Sequence, residues 1–152
     1  MTQKEFINHV LINEIGDVVN HHKWLSFILI CSGIEFLGGC IDHESNNLHT
    51  PNRSKKRFEN AIKKFFPEKY QTLLPPPFDL YSQLRCGMNH VTLPGSKIAL
   101  SEKKNGHKNL SVWQDRIIFV AEDFYDDFKT GCLAVIDLID KKEIEETFEI
   151  RF

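Results

Sequence analysis

An arginine and a histidine lie close together in a short segment that follows a run of prolines. The segment Asp79–His90 reads DLYSQLRCGMNH and contains Arg85, Asn89 and His90. Arginine carries a permanent positive charge and a planar fork of donors that suits phosphate oxygens. Histidine gains or loses a proton near neutral pH, so it can serve as an acid or a base. These two side chains are the minimum needed to bind or cleave a phosphodiester.

The element that must position this pair is predicted to be a short amphipathic helix. Leu80, Leu84 and Met88 recur every four positions, which puts them on one helix face. In a regular α-helix, two residues five positions apart point roughly 140° away from each other. We therefore expect that Arg85 and His90 do not converge within one chain while the helix stays regular.

The spacing Arg85-x4-His90 resembles the R-x4-6-H motif of the HEPN superfamily (higher eukaryotes and prokaryotes nucleotide-binding). The segment around it is similar to the third helix of several HEPN-like families of unknown function. Ser26–Gly38, which contains GIEFLG, is similar to their second helix. The sequence departs from many active HEPN toxins at Cys86, where they carry a polar residue. It also has Thr92 where some toxins carry a tyrosine that a partner nucleotidyltransferase modifies.

The resemblance implies one helical domain, residues 1–152, that cleaves RNA without a metal ion or a cofactor. His90 would act as general base on a ribose 2′-hydroxyl or as acid toward the leaving 5′-oxygen, and Arg85 would hold the phosphate. Single-stranded RNA is the implied substrate, because its 2′-hydroxyl reaches in-line geometry more easily than in a duplex. A homodimer formed through the motif helix is implied, as is an antitoxin protein if the chain is a toxin or defence component.

Glu35 is the only acidic residue in the most apolar run of the chain, Trp24–Ile41. Such a carboxylate either reaches water at the helix edge or pairs with a cation, because burying an unpaired charge is costly. In the second interpretation Glu35 binds Arg85 and fixes its guanidinium through a charge-assisted contact. Glu35 and Asn89 are therefore predicted to support the candidate catalytic pair.

A structural interpretation of the same residues remains open. Arg85 would then only join two helices through Glu35, and His90 would stabilise the C-terminal end of its helix, where positive charge is favoured. On that interpretation the chain is a non-catalytic HEPN-like module that binds a nucleotide or a protein. A third class, a thiol enzyme using Cys86 beside His90, lacks a visible residue to orient the pair.

The rest of the sequence predicts a mainly all-α fold, an up-and-down bundle of four to five helices with a small β-hairpin insertion near residues 97–113. Apolar residues recur at helical spacing over Gln3–Val19, Trp24–Ile41, Ser54–Phe66 and Gln114–Lys141. Alternating runs on both sides of Asn105-Gly106 predict the hairpin, since Asn-Gly is a strong turn signal. The charged tail, residues 143–152, fits a frayed end or a late strand.

Composition is typical of a soluble globular protein, with 41% hydrophobic residues and 26% charged residues. The net charge of −2 excludes nucleic-acid binding by overall charge alone, so an RNA contact requires a local basic patch. Lys55, Lys56 and Arg57, with Lys63 and Lys64 one or two turns later, form the most basic predicted helix. The ordinary interpretation of that helix is a solvated outer face. The functional interpretation is a groove for an RNA backbone, whose affinity would depend on salt.

No membrane partner is expected, because Glu35 and several glycines interrupt the apolar run. Gly38-Gly39 is expected to end that helix. The four separated cysteines lack a C-x-x-C motif and are typical of reduced thiols, which together with the absence of a signal-peptide pattern favours a cytoplasmic location. His43 and His49 complete no zinc ligand pattern, so no metal site is predicted.

Overall fold

The computed structural model describes residues 1–45, 47–146 and 149, which form a mainly helical fold with one small sheet, as predicted. Helix α1 covers residues 3–21 in three consecutive segments, of which the middle one is π-helical: Gln3–Phe6, Ile7–Glu14 and Ile15–His21. The next helices are α2 (Lys23–Cys40), α3 (Ser54–Phe65) and α4 (Glu68–Gln71). Helix α5 is π-helical over Tyr81–Cys86 and α-helical over Gly87–Val91, and α6 is Ala121–Asp140.

Helix α2 forms the centre of the core. It is apolar on nearly all faces and packs against α1, α3 and α6, burying Phe27, Ile30, Ile34 and Leu37. Among the described residues it is the one helix long and apolar enough to cross a membrane, and 56% of it is buried inside the fold. Core helices of soluble proteins have the same properties.

Gly38 and Gly39 lie inside α2, so the expectation that they end this helix is wrong. The helix continues through Cys40, one residue beyond them, and the glycines serve packing. A Cβ atom on Gly38 would overlap the backbone of Arg57 on α3. The absence of a side chain therefore allows α2 and α3 to approach each other at backbone distance.

The predicted hairpin around Asn105-Gly106 is wrong in its pairing. The strands are β1 (Ile98–Ser101), β2 (Val112–Trp113) and β3 (Arg116–Val120), and β3 lies between the other two. Strand β1 is parallel to β3, and β2 is antiparallel to it. The hairpin turn is Gln114-Asp115, where both residues have positive φ, as a type I′ turn requires.

The last helix begins later than predicted. Arg116–Val120 is a strand, and α6 starts at Ala121 rather than near Gln114. The run RIIFV is rich in β-branched residues, and Ile118, Phe119 and Val120 are all buried. Consecutive burial of this kind is characteristic of a central strand with both faces covered.

The polar segment between α2 and α3 is held by two arginines. Asp42 accepts hydrogen bonds from Arg53 Nε at 2.6 Å and Arg57 Nε at 2.8 Å, and Arg57 also donates to backbone carbonyls of this segment, including that of Leu48. Burial alone would raise the pKa of Asp42, but the two guanidiniums lower it to about 2. Arg57 is therefore a buried structural residue, and the prediction that it belongs to a solvated basic face is wrong.

The described part of the tail makes one strand-like contact. Thr2 and Glu149 form an isolated antiparallel bridge, which agrees with a late strand better than with a frayed end. Residues 147, 148 and 150–152 lie outside the described part of the chain, so the prediction for the tail is not decided there.

Candidate functional site

Helix α5 carries the motif and has the predicted buried side. Leu80 just before it, with Leu84 and Met88 within it, is fully buried. The Asp79 carboxylate accepts a hydrogen bond from the backbone N–H of Ser82 at 3.3 Å, which caps the start of the helix. The helix ends at Val91, and the next residue, Thr92, has a φ of +58°.

The predicted pair of Arg85 and Glu35 is present. Arg85 Nε donates to Glu35 Oε2 at 3.0 Å, and its Nη2 lies 2.8 Å from the same oxygen. Both side chains are partly accessible, 17% for the arginine and 22% for the glutamate. The guanidinium also lies over the Tyr81 ring, 5.5 Å from its centroid. Arg85 is thus held by Glu35 on α2 and by Tyr81 on its own helix.

These neighbours keep the Arg85 guanidinium positively charged. Burial lowers the pKa of Arg85, but the nearby Glu35 carboxylate outweighs that effect, so the pKa lies above its ordinary value. The guanidinium borders a cleft of about 230 Å³, whose lining residues are Ser32, Glu35, Phe36, Leu48, Arg57 and Arg85. Within the described chain, Nη1 of Arg85 makes no hydrogen bond. A donor remains available for an anion at this cleft.

Asn89 is held against α2. Its Nδ2 donates to Ser32 Oγ at 3.0 Å, and its Oδ1 is buried without a hydrogen-bond partner among the described residues. Because Ser32 also lines the cleft beside Arg85, Asn89 connects the motif helix to the cleft wall. Sequence reasoning selected Asn89 only as the neighbour of His90 and missed Ser32.

His90 occupies a different position from Arg85. It lies in the last turn of α5, is exposed, and makes no hydrogen bond to a described residue. It does not line the cleft that Arg85 borders. Within the described chain, no hydrogen bond and no shared cleft joins the two residues. Because α5 is π-helical through Cys86, the angle expected for a regular α-helix does not apply to them.

The backbone after His90 is anchored. Trp24 Nε1 donates to the carbonyl of Thr92 at 2.8 Å, which ties the end of α5 to the start of α2. The following loop folds back, and Gly95 N donates to the Gln83 carbonyl at 2.6 Å. His90 is thus an accessible side chain on a backbone that is fixed from both sides.

An exposed apolar face adjoins these residues, and sequence reasoning missed it. Leu25 and Leu29 on α2 and Val91 and Leu93 at the end of α5 are all exposed. Beside them lies an apolar groove of about 320 Å³ between α1 and α2, and Ser32 and Phe36 line both the groove and the Arg85 cleft. The spacing of Leu25 and Leu29 was a usable signal, but it was concealed in a run that is apolar on every face.

The cysteines provide no catalytic constellation among the described residues. Cys31, Cys40 and Cys132 are buried, and burial raises the pKa of the Cys40 thiol to about 12. Cys86 is half-buried and free, and no histidine is hydrogen-bonded to it within the described chain. Among the described residues, no group of three or more His, Cys, Asp or Glu side chains could hold a metal ion.

Comparisons of the chain with protein-family models, with curated proteins and with solved structures found no match. The HEPN resemblance therefore stays a prediction that depends on the motif.

Proposed function

We propose that this chain is a metal-independent endoribonuclease of HEPN type, in which Arg85 and His90 act on single-stranded RNA. The proposal includes the up-and-down bundle of four to five helices that such domains have, with the small sheet as its insertion. The observation that carries it is the combination of an exposed histidine with an arginine that Glu35 and Tyr81 hold rigidly at an open cleft.

His90 is the acid–base residue in this proposal. Its ring is free of hydrogen bonds to the described residues, so both nitrogens are available to a ribose hydroxyl or a leaving oxygen. A positioned general base or acid contributes about a hundredfold or more to a proton-transfer step. Because the backbone at Thr92 is anchored, the His90 ring has fewer orientations to lose when RNA binds.

Arg85 is the phosphate-binding residue. A guanidinium already oriented by a carboxylate stabilises the negative charge of the transition state without first reorganising. The free Nη1 is the donor that would contact a phosphate oxygen. Because the glutamate neutralises part of the charge, binding of RNA by this residue alone is weak, in keeping with the net charge of −2.

The active site is completed by a second copy of the chain. Arg85 and His90 of one chain are not joined, so the arginine of one protomer is paired with the histidine of the other across a twofold axis. The exposed residues Leu25, Leu29, Val91 and Leu93 supply the apolar contact surface beside both. If the chain is a toxin or defence component, an antitoxin protein would bind over the same cleft.

One observation favours the alternative of a non-catalytic binding module. The principal donors of Arg85 already engage Glu35, and an ion pair of this kind between two helices stabilises a fold without any catalytic role. The module would then use the Arg85 cleft to bind a nucleotide or the apolar face to bind a protein.

Cleavage of a single-stranded RNA in EDTA separates the two functions. Wild type is expected to cleave, while His90→Ala loses about a hundredfold or more of the rate. His9→Ala is the matched control, since His9 is also an exposed helical histidine. Equal rates for wild type and His90→Ala would exclude His90 from the mechanism, and no cleavage by any variant would favour the binding module.

A further inference from the structure

A second group of exposed aromatic and basic residues lies at the small sheet, outside the candidate site. Trp113 is 45% exposed and Val112 is 70% exposed, on an edge strand of only two residues. Trp113 is paired directly with Arg116 across the type I′ turn, so their side chains lie on the same face of the sheet. An exposed tryptophan beside an arginine has no role in the core.

His107 extends this aromatic surface. Its ring centroid lies 6.0 Å from that of Trp113, with 42° between the ring planes. Ser101 holds the histidine through a contact of 2.9 Å between Oγ and Nδ1. Asn105 Nδ2 donates to the same hydroxyl at 3.2 Å. The two rings are therefore side by side and one of them is fixed by the end of β1.

Two cations in the segments that carry these rings have no acidic partner in the described chain. Arg116 and Lys108 are exposed and form no ion pair with a carboxylate in the described chain. Lys104 is neutralised by Glu102 at 2.6 Å. Asp115, in the turn, is the nearest exposed acid along the chain. The surface thus combines two aromatic rings with two unpaired cations.

A cleft of about 200 Å³ adjoins this surface, and its walls include Lys23, Trp24, Ser101, Glu102 and Asn105. Ser101 contacts His107, and Asn105 donates to Ser101. Trp24 is hydrogen-bonded to the carbonyl of Thr92, two residues after His90. Neither Trp113 nor His90 lines this cleft.

We propose that this surface binds the single-stranded RNA away from the cleavage point, with an unpaired base stacked on Trp113 and phosphates held by Arg116 and Lys108. That this RNA is the substrate of the chain rests on the proposed function. Every base presents a flat face to a tryptophan, so the contact is tolerant of sequence and favours single strands over duplexes. A base held there extends the contact with RNA beyond the weakly binding Arg85 cleft.

The charge pattern favours RNA over a protein partner. A protein partner for an edge strand would need a row of free backbone groups, but β2 offers only two residues. Unpaired cations beside two exposed aromatic rings match the phosphates and bases of one strand. Each cation that contacts a phosphate adds about 0.7 to the slope of log affinity against log salt concentration.

The test uses the fluorescence of Trp113. Trp24→Phe leaves Trp113 as the only tryptophan, and a 2′-O-methyl oligouridylate of about ten nucleotides, a length typical of single-strand sites, cannot be cleaved through its 2′-oxygen. Saturable quenching by this oligonucleotide, and none by a duplex of equal length, is expected. In the background with both tryptophans, Trp113→Ala should weaken binding about tenfold.

Charge variants provide the second measurement. Arg116→Gln and Lys108→Gln should each lower the salt slope by about 0.7, while Lys63→Gln, an exposed lysine on α3, should leave it unchanged. Equal effects of all three variants would overturn the proposal, because they indicate non-specific attraction. Saturating RNA binding without a change in Trp113 fluorescence would also overturn it and leave this face to a protein partner.

Failure of the proposed function gives a different result. If His90→Ala cleaves RNA as wild type does while Trp113 is still quenched, the catalytic assignment is wrong and the proposed binding surface stands. If cleavage requires His90 but Trp113→Ala changes neither KM nor kcat, the binding surface is wrong and the catalytic assignment stands. The expected result is an increase of about tenfold in KM with kcat unchanged.

Discussion

Two nitrogens of Arg85 converge on a single oxygen of Glu35, at 3.0 Å from Nε and 2.8 Å from Nη2. This arrangement connects the motif helix α5 to the central helix α2. It leaves Nη1 directed away from the pair, so the same contact that stabilises the fold also orients the group proposed to bind phosphate. The consequences of the pair for stability and for activity can therefore be measured separately.

Replacing Glu35 by glutamine keeps the shape of the side chain and removes its charge. The free energy of unfolding should fall by about 1 kcal/mol, because the pair is partly exposed. The rate of RNA cleavage should fall about tenfold, since the guanidinium is held less firmly. Denaturant unfolding and single-turnover cleavage measure the two effects.

The control for this variant is Glu59→Gln, because Glu59 is about as accessible as Glu35 but its ion pair with the exposed Lys55 is longer, at 3.9 Å. It should change neither quantity. A Glu35→Gln protein that loses stability but cleaves at the wild-type rate would show that the pair is structural only.

A charge on the apolar face should separate the protomers. Leu29→Glu introduces a carboxylate beside the groove between α1 and α2, where a second copy is proposed to pack. The solution mass should change from dimer to monomer, and cleavage should be lost with it, because each active site needs both chains. Analytical ultracentrifugation gives the mass.

Leu133→Glu is the matched control, since Leu133 is an exposed leucine on α6 that lines none of the clefts described above. It should leave mass and activity unchanged. A monomeric wild-type protein that cleaves RNA would contradict the shared site.

The close contact between α2 and α3 predicts a strong effect of one methyl group. Gly38→Ala forces the Arg57 backbone away from α2 and should cost about 3 kcal/mol. Gly106 has open space around it but a positive φ of 72°, which disfavours a side chain. Gly106→Ala should therefore lower the free energy of unfolding by about 1 kcal/mol. Thermal unfolding compares them, and equal losses would mean that the helices separate easily at this point.

The stability of the fold should depend on pH through the ionisation of Asp42. Its folded-state pKa of about 2 lies below the ordinary value of 3.8, so its ionised form stabilises the fold above the ordinary pKa. That contribution is lost as the pH falls from about 4 toward 2. Asp42→Asn should weaken this dependence and also cost about 3 kcal/mol at neutral pH, because Arg57 loses its buried partner.

Glu44→Gln is the comparison for this variant, because Glu44 is exposed while it pairs with Arg53 and Lys56. It should change the acid profile little. Acid titrations of both variants followed by circular dichroism provide the measurement, and identical profiles for Asp42→Asn and wild type would contradict the assignment.

Sequence periodicity was sufficient for the buried side of the motif helix, and the pairing of Glu35 with Arg85 was one of two interpretations that the sequence left open. Leu80, Leu84 and Met88 repeat at one helical spacing, and a carboxylate in an apolar helix needs a cation. The strand Arg116–Val120 was missed because burial on both faces removes the alternation that identifies a strand. The true hairpin turn, Gln114-Asp115, lacks the glycine that usually marks such a turn.

Contacts between residues that are distant in the sequence could not be predicted either. Arg57 has the same local pattern as the exposed lysines beside it, and only the partner Asp42, fifteen positions earlier, makes it a buried residue. The exposed apolar face was missed for the converse reason: a helix that is apolar all round does not indicate which side stays uncovered.

Complementation between two inactive variants tests the shared active site most directly. Arg85→Ala and His90→Ala proteins are each expected to be inactive, but a mixture allowed to exchange subunits forms heterodimers with one intact Arg85–His90 pair. The mixture should then recover about a quarter of the wild-type cleavage rate, since half of the dimers are mixed and each has one of two sites. A mixture that stays as inactive as the separate variants, while its subunits demonstrably exchange, would contradict the account.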